Sequence, residues 1–298
     1  MLIYLFTPLF YLLYPSSCVF MYKNILICLD GSPQDTPATD CGIWLASRLG
    51  ATLHGLHVKD IIALEGPLLY DISGSLSIIP QMNFLDETRK ILEERGKTIL
   101  SSFEKSCEEA GVPFQSYLEE GIVHRVITDK AQLHDLTILG RRGLNYKLDR
   151  DLMGSTADRV VRRTQSPVMV LTHEFVGLQS PLLAFDGTSQ AREAMVSAVR
   201  LLTELKLPLT VLNVSNHEDE GKKILAQAKE YLDSYNLVVK YDLIPGTPRH
   251  DVPDYAKRHR HDLIILGARG HRGIVDLLLG STTEYALWQG SCHVLVDR

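Results

Sequence analysis

Short, almost unbroken apolar runs alternate along the chain with stretches whose apolar positions recur every three or four residues. Residues 24–29 (Asn-Ile-Leu-Ile-Cys-Leu), 51–58, 113–118, 136–140 and 166–171 have the first character, as parallel strands buried on both faces do. Between them, residues 36–49 put Cys41, Leu45 and Leu49 on one helical face, with Gly50 as a stop. Residues 87–110 and 123–132 have the spacing of two further helices. The order restarts at Pro181. Runs at 182–185, 208–214, 238–244, 263–266 and 292–297 predict strands, and 190–205 a helix with Met195, Ala198, Leu202 and Leu205 inward. Asp186-Gly187-Thr188 repeats Asp30-Gly31-Ser32 at an offset of 156, and Leu266 repeats Leu139 at an offset of 127. The pattern predicts a tandem α/β protein with halves at 21–173 and 181–298. Each is an open, mostly parallel five-stranded sheet with helices on both faces, the two packed as a pseudo-dimer. Ligands of such sheets lie beyond the carboxyl ends of the strands, so Asp30 with Gly140, and Asp186 with Gly267, should each frame a crevice.

Two segments depart from this rhythm. From about 59 to 86 the chain is rich in glycine, proline and apolar residues and poor in charge, as expected of a lid or of a flap packed on a neighbouring subunit. Residues 1–20 carry no charge and are long enough to span a membrane. Pro8 and Pro15 interrupt them, no positive flank precedes them, and only Met21-Tyr22-Lys23 separate them from the first strand. The expectation is a non-native or disordered extension, with a membrane anchor as the alternative. Composition adds little: 298 residues suit two domains, and 45% apolar with 22% charged residues is the balance of a globular protein. A net charge of −5 argues against nucleic acid as a partner. The five cysteines lack metal-ligand spacing and suit a reducing cytoplasm.

The chemistry sits behind the fourth strand of each half. Leu263-Ile264-Ile265-Leu266 stops at Gly267, followed by Ala268-Arg269-Gly270, nine residues, then Gly280-Ser281-Thr282. The first half has Gly140-Arg141-Arg142-Gly143, ten residues, then Gly154-Ser155-Thr156. Glycines let a backbone approach a ligand, a helix N-terminus offers free N–H groups to phosphate, and arginines add charge-assisted hydrogen bonds. The dinucleotide fingerprint needs its glycines after the first strand, and a P-loop needs Gly-Lys-Ser/Thr; neither occurs. Each motif also has a plainer reading. Asp30 and Asp186 can be turn or N-cap aspartates, Ser281 to Glu284 a capping box, and the arginines solvated.

The sequence resembles a tandem universal stress protein of the nucleotide-binding branch. The pattern Gly-x2-Gly-x9-Gly-Ser/Thr is met in full by Gly267, Gly270, Gly280 and Ser281, and the likeness runs from Tyr22 to Arg298. The first half departs from it by one extra residue between Gly143 and Gly154. The resemblance implies ATP, or AMP or ADP, as ligand, with Mg2+ as a companion. It places Asp186 and Asp30, with Gly187, at the adenine side, and the backbone of Val214 and Val58 against the base. Gly267, Arg269, Gly270, Gly280, Ser281 and Thr282, and Gly140, Arg142, Gly143, Gly154, Ser155 and Thr156, then hold ribose and phosphates. It also implies halves paired through their last strands, and a homodimer of chains. Two rivals stay open: a slow ATPase or nucleotidyl transferase in the same crevice, and a carrier whose pocket is the apolar segment 61–84. No Ser-His-Asp or Cys-His set comes together in the repeat.

Overall fold

The computed structural model describes residues 22–60, 82–144, 153–268 and 279–298, with side chains from residue 87 onward in the second of these. The N-terminal extension and most of the 59–86 segment therefore lie outside the described residues. The first half runs β1 (Asn24–Leu29), α1 (Asp35–Leu49), β2 (Thr52–Asp60), α2 (Met82–Ala110), β3 (Phe114–Gly121), α3 (Val123–Ala131), β4 (Leu136–Gly140), α4 (Ser155–Arg163) and β5 (Val168–Leu171). The second runs β6 (Pro181–Ala184), α5 (Ser189–Leu205), β7 (Leu209–Val214), α6 (Glu218–Leu232), β8 (Val239–Ile244), α7 (Pro248–Arg258), β9 (Leu263–Gly267), α8 (Ser281–Gln289) and β10 (His293–Asp297). Among the described residues no helix is long and apolar enough to cross a membrane.

The strands form one ten-stranded sheet in the order β3-β2-β1-β4-β5-β10-β9-β6-β7-β8. All pairs within a half are parallel; the seam, β5 on β10, is antiparallel, with Val170 opposite Val294 and Val168 opposite Val296. The two expected five-stranded sheets are thus joined edge to edge. Because the seam reverses strand direction, the carboxyl ends of the two halves lie on opposite rims of the composite sheet.

Alternation along β1 shows why its run is continuously apolar. Ile25, Ile27 and Leu29 enter the core under α1, α2 and α5, while Leu26 enters the core under α3, α4, α7 and α8. Both cores cross the seam, the first reaching Leu263, Ile265 and Leu295 and the second Ile264, Leu266 and Val296. The linker between the halves is packed down. Phe175 lies edge-on to Trp44, Leu178 is buried, and Asp262 Oδ2 accepts from the main-chain N–H of Gln179 (2.6 Å) and Ser180 (2.9 Å). Asp135 plays the same part in the first half, its Oδ2 accepting from Lys23 and Asn24, each at 2.8 Å. These two aspartates, which follow His134 and His261, each clamp the amino-terminal ends of the strands of their own half, away from that half's candidate site.

Candidate functional site

In each half the end of the first strand turns sharply at Asp-Gly. Gly31 and Gly187 take φ of 83° and 78°, a region that a side chain disfavours. Asp30 Oδ1 accepts from Ser32 N (2.9 Å) and Asp186 Oδ1 from Thr188 N (3.0 Å), so both form the turn that their residue type favours. Neither is an N-cap; Gln34 and Thr188 hold those positions. Asp30 does more than turn the chain. Its Oδ2 accepts from Leu144 N (3.1 Å), and a Cβ on Gly143 would stand 2.5 Å from that oxygen. The glycine behind strand four therefore leaves room for the acid behind strand one. Asp186 is exposed.

The first glycine of each loop has a packing reason of its own. A Cβ on Gly140 would lie 2.3 Å from Gln34 Cβ, and one on Gly267 would lie 2.4 Å from the carbonyl carbon of Gln190. Gln34 and Gln190 are themselves related by the 156-residue offset. In both halves, then, strand four ends against the first turn of the helix that follows strand one. Gly154 closes the loop in the first half, its N–H donating to Arg141 O (2.8 Å).

Gly154 and Gly280 are the N-caps of α4 and α8, and neither cap residue has a side chain to bond the helix end. The capping-box reading of Ser281 to Glu284 is therefore corrected. Ser281 is the first helical residue rather than the cap, and Glu284 turns away to accept from Arg162 Nη2 (2.9 Å), across the seam. The first N–H groups to find an intrahelical carbonyl are those of Asp158, on Gly154 O, and Glu284, on Gly280 O. Those of Ser155, Thr156, Ser281 and Thr282 come earlier and face out of the helix end. Thr283 Oγ1 donates to Gly267 O (2.9 Å), tying α8 to the end of β9.

Two arginines follow β4 in the first half, and their backbone lies beside Gly154. Arg141 Nη1 donates to Gly290 O of the other half (2.8 Å), and burial, followed by the charge of Arg142, pulls its pKa below the usual range. Arg142 Nε is buried and has no partner among the described residues. Arg141 thus has a structural partner that a solvated-surface reading does not foresee. Arg269 and Gly270 lie outside the described residues.

Several groups in the crevices are not evident from the motifs. Asp35 accepts from the N–H of Asp30 (3.1 Å) and Gly31 (2.7 Å). Burial, reinforced by the charge of Asp30, lifts its carboxyl to about 7 against the pull of those two donors. Arg95 of α2 donates to Asp30 O (3.4 Å). At the end of strand two, His57 Nδ1 contacts Leu29 O (2.9 Å), and Asn213 Nδ2 donates to Phe185 O (2.8 Å). The signal was present: His57-Val58 and Asn213-Val214 stand at the repeat offset, each a polar residue directly before the valine.

Val58 and Val214 follow at once. Thr52 N bonds to Lys23 O on β1, so alternation turns the main-chain groups of Val58 to the same side. Ser215 N bonds to Ile244 O on β8, so those of Val214 face the opposite side, toward β6. On that side β6 and β7 are last paired at Ala184 and Leu212. Strand two thus runs on past the end of strand one, with a main-chain edge turned toward the aspartate.

Such an arrangement defines a parallel α/β protein in whose first half the acid behind strand one meets the glycine loop behind strand four, beside a helix N-terminus. The chain belongs to the universal stress protein family, whose sequence profile matches residues 21–172 and 215–298. It is 27% identical over 286 residues to the universal stress protein Slr1230 of Synechocystis, covering 93% of this chain and all of that one. It is 24% identical to universal stress protein E of Salmonella typhi, covering 93% of this chain and 95% of that one. Among solved structures, a universal stress protein from Archaeoglobus fulgidus superposes with a TM-score of 0.74 at 19% identity, over 93% of this chain and 98% of that one.

Proposed function

We propose that the chain is an adenine-nucleotide-binding module of the cytoplasm, holding ATP, ADP or AMP in the crevices at its two carboxyl rims and acting through its nucleotide-bound state. The observation that carries the reading is the approach of Asp30 to the glycine loop, Oδ2 to Leu144 N at 3.1 Å, beside the N-capping Gly154 of α4. An acid suited to ribose or adenine N–H and O–H donors thereby faces outward-turned N–H groups suited to phosphate. The buried Nε of Arg142, without a partner among the described residues, adds a donor that a phosphate oxygen would satisfy. In the second half Asp186, Gly187, Val214, Gly267, Gly280, Ser281 and Thr282 take the same parts, with Arg269 and Gly270 assigned by the repeat. In the first half Val58, Gly140, Gly143, Ser155 and Thr156 do so. Mg2+ would be carried by the phosphates rather than caged by the protein. Two chains pair into a homodimer in this reading, and nucleotide occupancy shifts the population of its states.

The test is titration of the full-length protein with ATP, followed by the Asp30→Ala, Asp186→Ala double variant. The parent should bind, and the double variant, checked for its fold by circular dichroism, should bind at least about tenfold more weakly, a loss of roughly 1.4 kcal/mol. Undiminished binding by the double variant rules out the site, and a parent that binds no adenine nucleotide rules out the function.

A further inference from the structure

We infer that His57 and Asn213 are positioning residues for the adenine base: each side chain pins the last carbonyl of strand one and so fixes the main-chain edge of the valine that follows it. The inference rests on the nucleotide-binding reading and names the residues that set its base specificity.

Four observations converge. The bonds are alike in the two halves, His57 Nδ1 to Leu29 O at 2.9 Å and Asn213 Nδ2 to Phe185 O at 2.8 Å. An imidazole and an amide can each offer an N–H, and a carbonyl partner accepts only from a donor, so the donor is what the position requires. Each accepting carbonyl belongs to the residue before the turn aspartate, and each donor to the residue before the valine. One bond therefore sets the distance between acid and main-chain edge, the two groups that would clasp the two ends of the same purine and its ribose.

The covering helices hold the donors in place. A Cβ on Gly96 of α2 would stand 2.8 Å from His57 Cδ2, and one on Gly221 of α6 would stand 3.0 Å from Asn213 Oδ1. Both glycines let a helix close on the polar side chain and on the leucine beside it, Leu118 or Leu243, whose Cδ1 would stand closer still at 2.6 and 2.4 Å. Finally, Asn213 is 3% exposed, yet its Oδ1 has no hydrogen-bond partner among the described residues. Burying an amide oxygen unpaired is unfavourable, so the residue serves through its donor to Phe185 O.

The experiment compares ATP and GTP binding by the full-length parent with three variants. A His57→Leu, Asn213→Leu double variant removes both donors, and Asn213→Asp keeps the shape of the amide while removing its donor from one half. A His57→Asn, Asn213→His double variant exchanges the two donors. The donor-less double variant should bind ATP about tenfold more weakly and lose most of its preference for ATP over GTP. Asn213→Asp should show the same loss for the second-half site alone, and the exchanged variant should keep parental affinity and preference. A merely structural role would weaken both nucleotides equally. Parental preference in both donor-less variants overturns the inference, as does an exchanged variant that falls with the donor-less one. A parent that binds ATP in either case leaves the function standing, whereas a parent that binds no nucleotide removes both.

Discussion

His293 shows how much a single buried side chain can couple to solvent conditions. It is 1% exposed on β10, its Nδ1 accepts from Thr172 N (3.3 Å), and His173 packs on it with ring centroids 4.3 Å apart. Accepting that bond requires Nδ1 to be unprotonated. Burial, then the proximity of His173, holds its pKa down at about 3, against an ordinary value of 6.5. The sign follows from linkage: between those values the unfolded chain binds a proton that the folded chain refuses. Its contribution to stability is therefore complete above about pH 6.5 and is lost as the pH falls toward 3. Asp35 acts in the opposite sense, since its carboxyl, raised to about 7, keeps a proton in the folded chain that the unfolded one releases. Denaturant midpoints from pH 7 to pH 4 should fall less steeply in His293→Gln than in the parent. Equal slopes would mean that His293 does not carry the acid sensitivity.

The contact between strand four and the helix after strand one is repeated in both halves. Both versions involve atoms that the backbone fixes, Gln34 Cβ at 2.3 Å from a Cβ on Gly140 and the Gln190 carbonyl carbon at 2.4 Å from one on Gly267. Neither can step aside by a change of rotamer. Gly140→Ala and Gly267→Ala should therefore each destabilise by ~1–3 kcal/mol, the range for overpacking, as measured by urea midpoints. Parental midpoints in both would show that the first-turn packing is not what these glycines serve. At this scale the sequence was legible in proportion to its periodicity. β1, β4 and β9 stand where their apolar runs place them, because strands buried on both faces leave little ambiguity. Glu218–Leu232 (α6) was harder to see, since its inward positions, Gly221, Ala228 and Leu232, are sparse and one lacks a side chain. The capping box misled because Gly280, already extended at φ −64° and ψ 147°, takes the cap position itself. The arginine bridging to Gly290 and the donors at His57 and Asn213 depend on contacts between distant segments. Only the offset between the repeats could have hinted at the last two.

Over the whole molecule, the two halves share both cores and one sheet, so they should not behave as independent units. Separating them would expose β5 and β10 as unpaired edges and uncover Met169 and Leu295, both fully buried. The intact chain should melt in a single calorimetric transition. Fragments 21–173 and 174–298 made apart should associate on mixing or aggregate alone. Two resolved transitions, or two stable monomeric fragments, would show that the seam is dispensable. Arg162 reinforces that seam by joining Asp158 of its own helix to Glu284 of the other half, but a partly exposed pair of this kind adds only about 1 kcal/mol or less. The apolar strands carry the join. Their reversal at β5 and β10 also turns the carboxyl ends of the two halves away from each other. No single flat partner can cover both rims at once. Under the proposed function, a protein docking over one rim would leave the site on the other open to nucleotide.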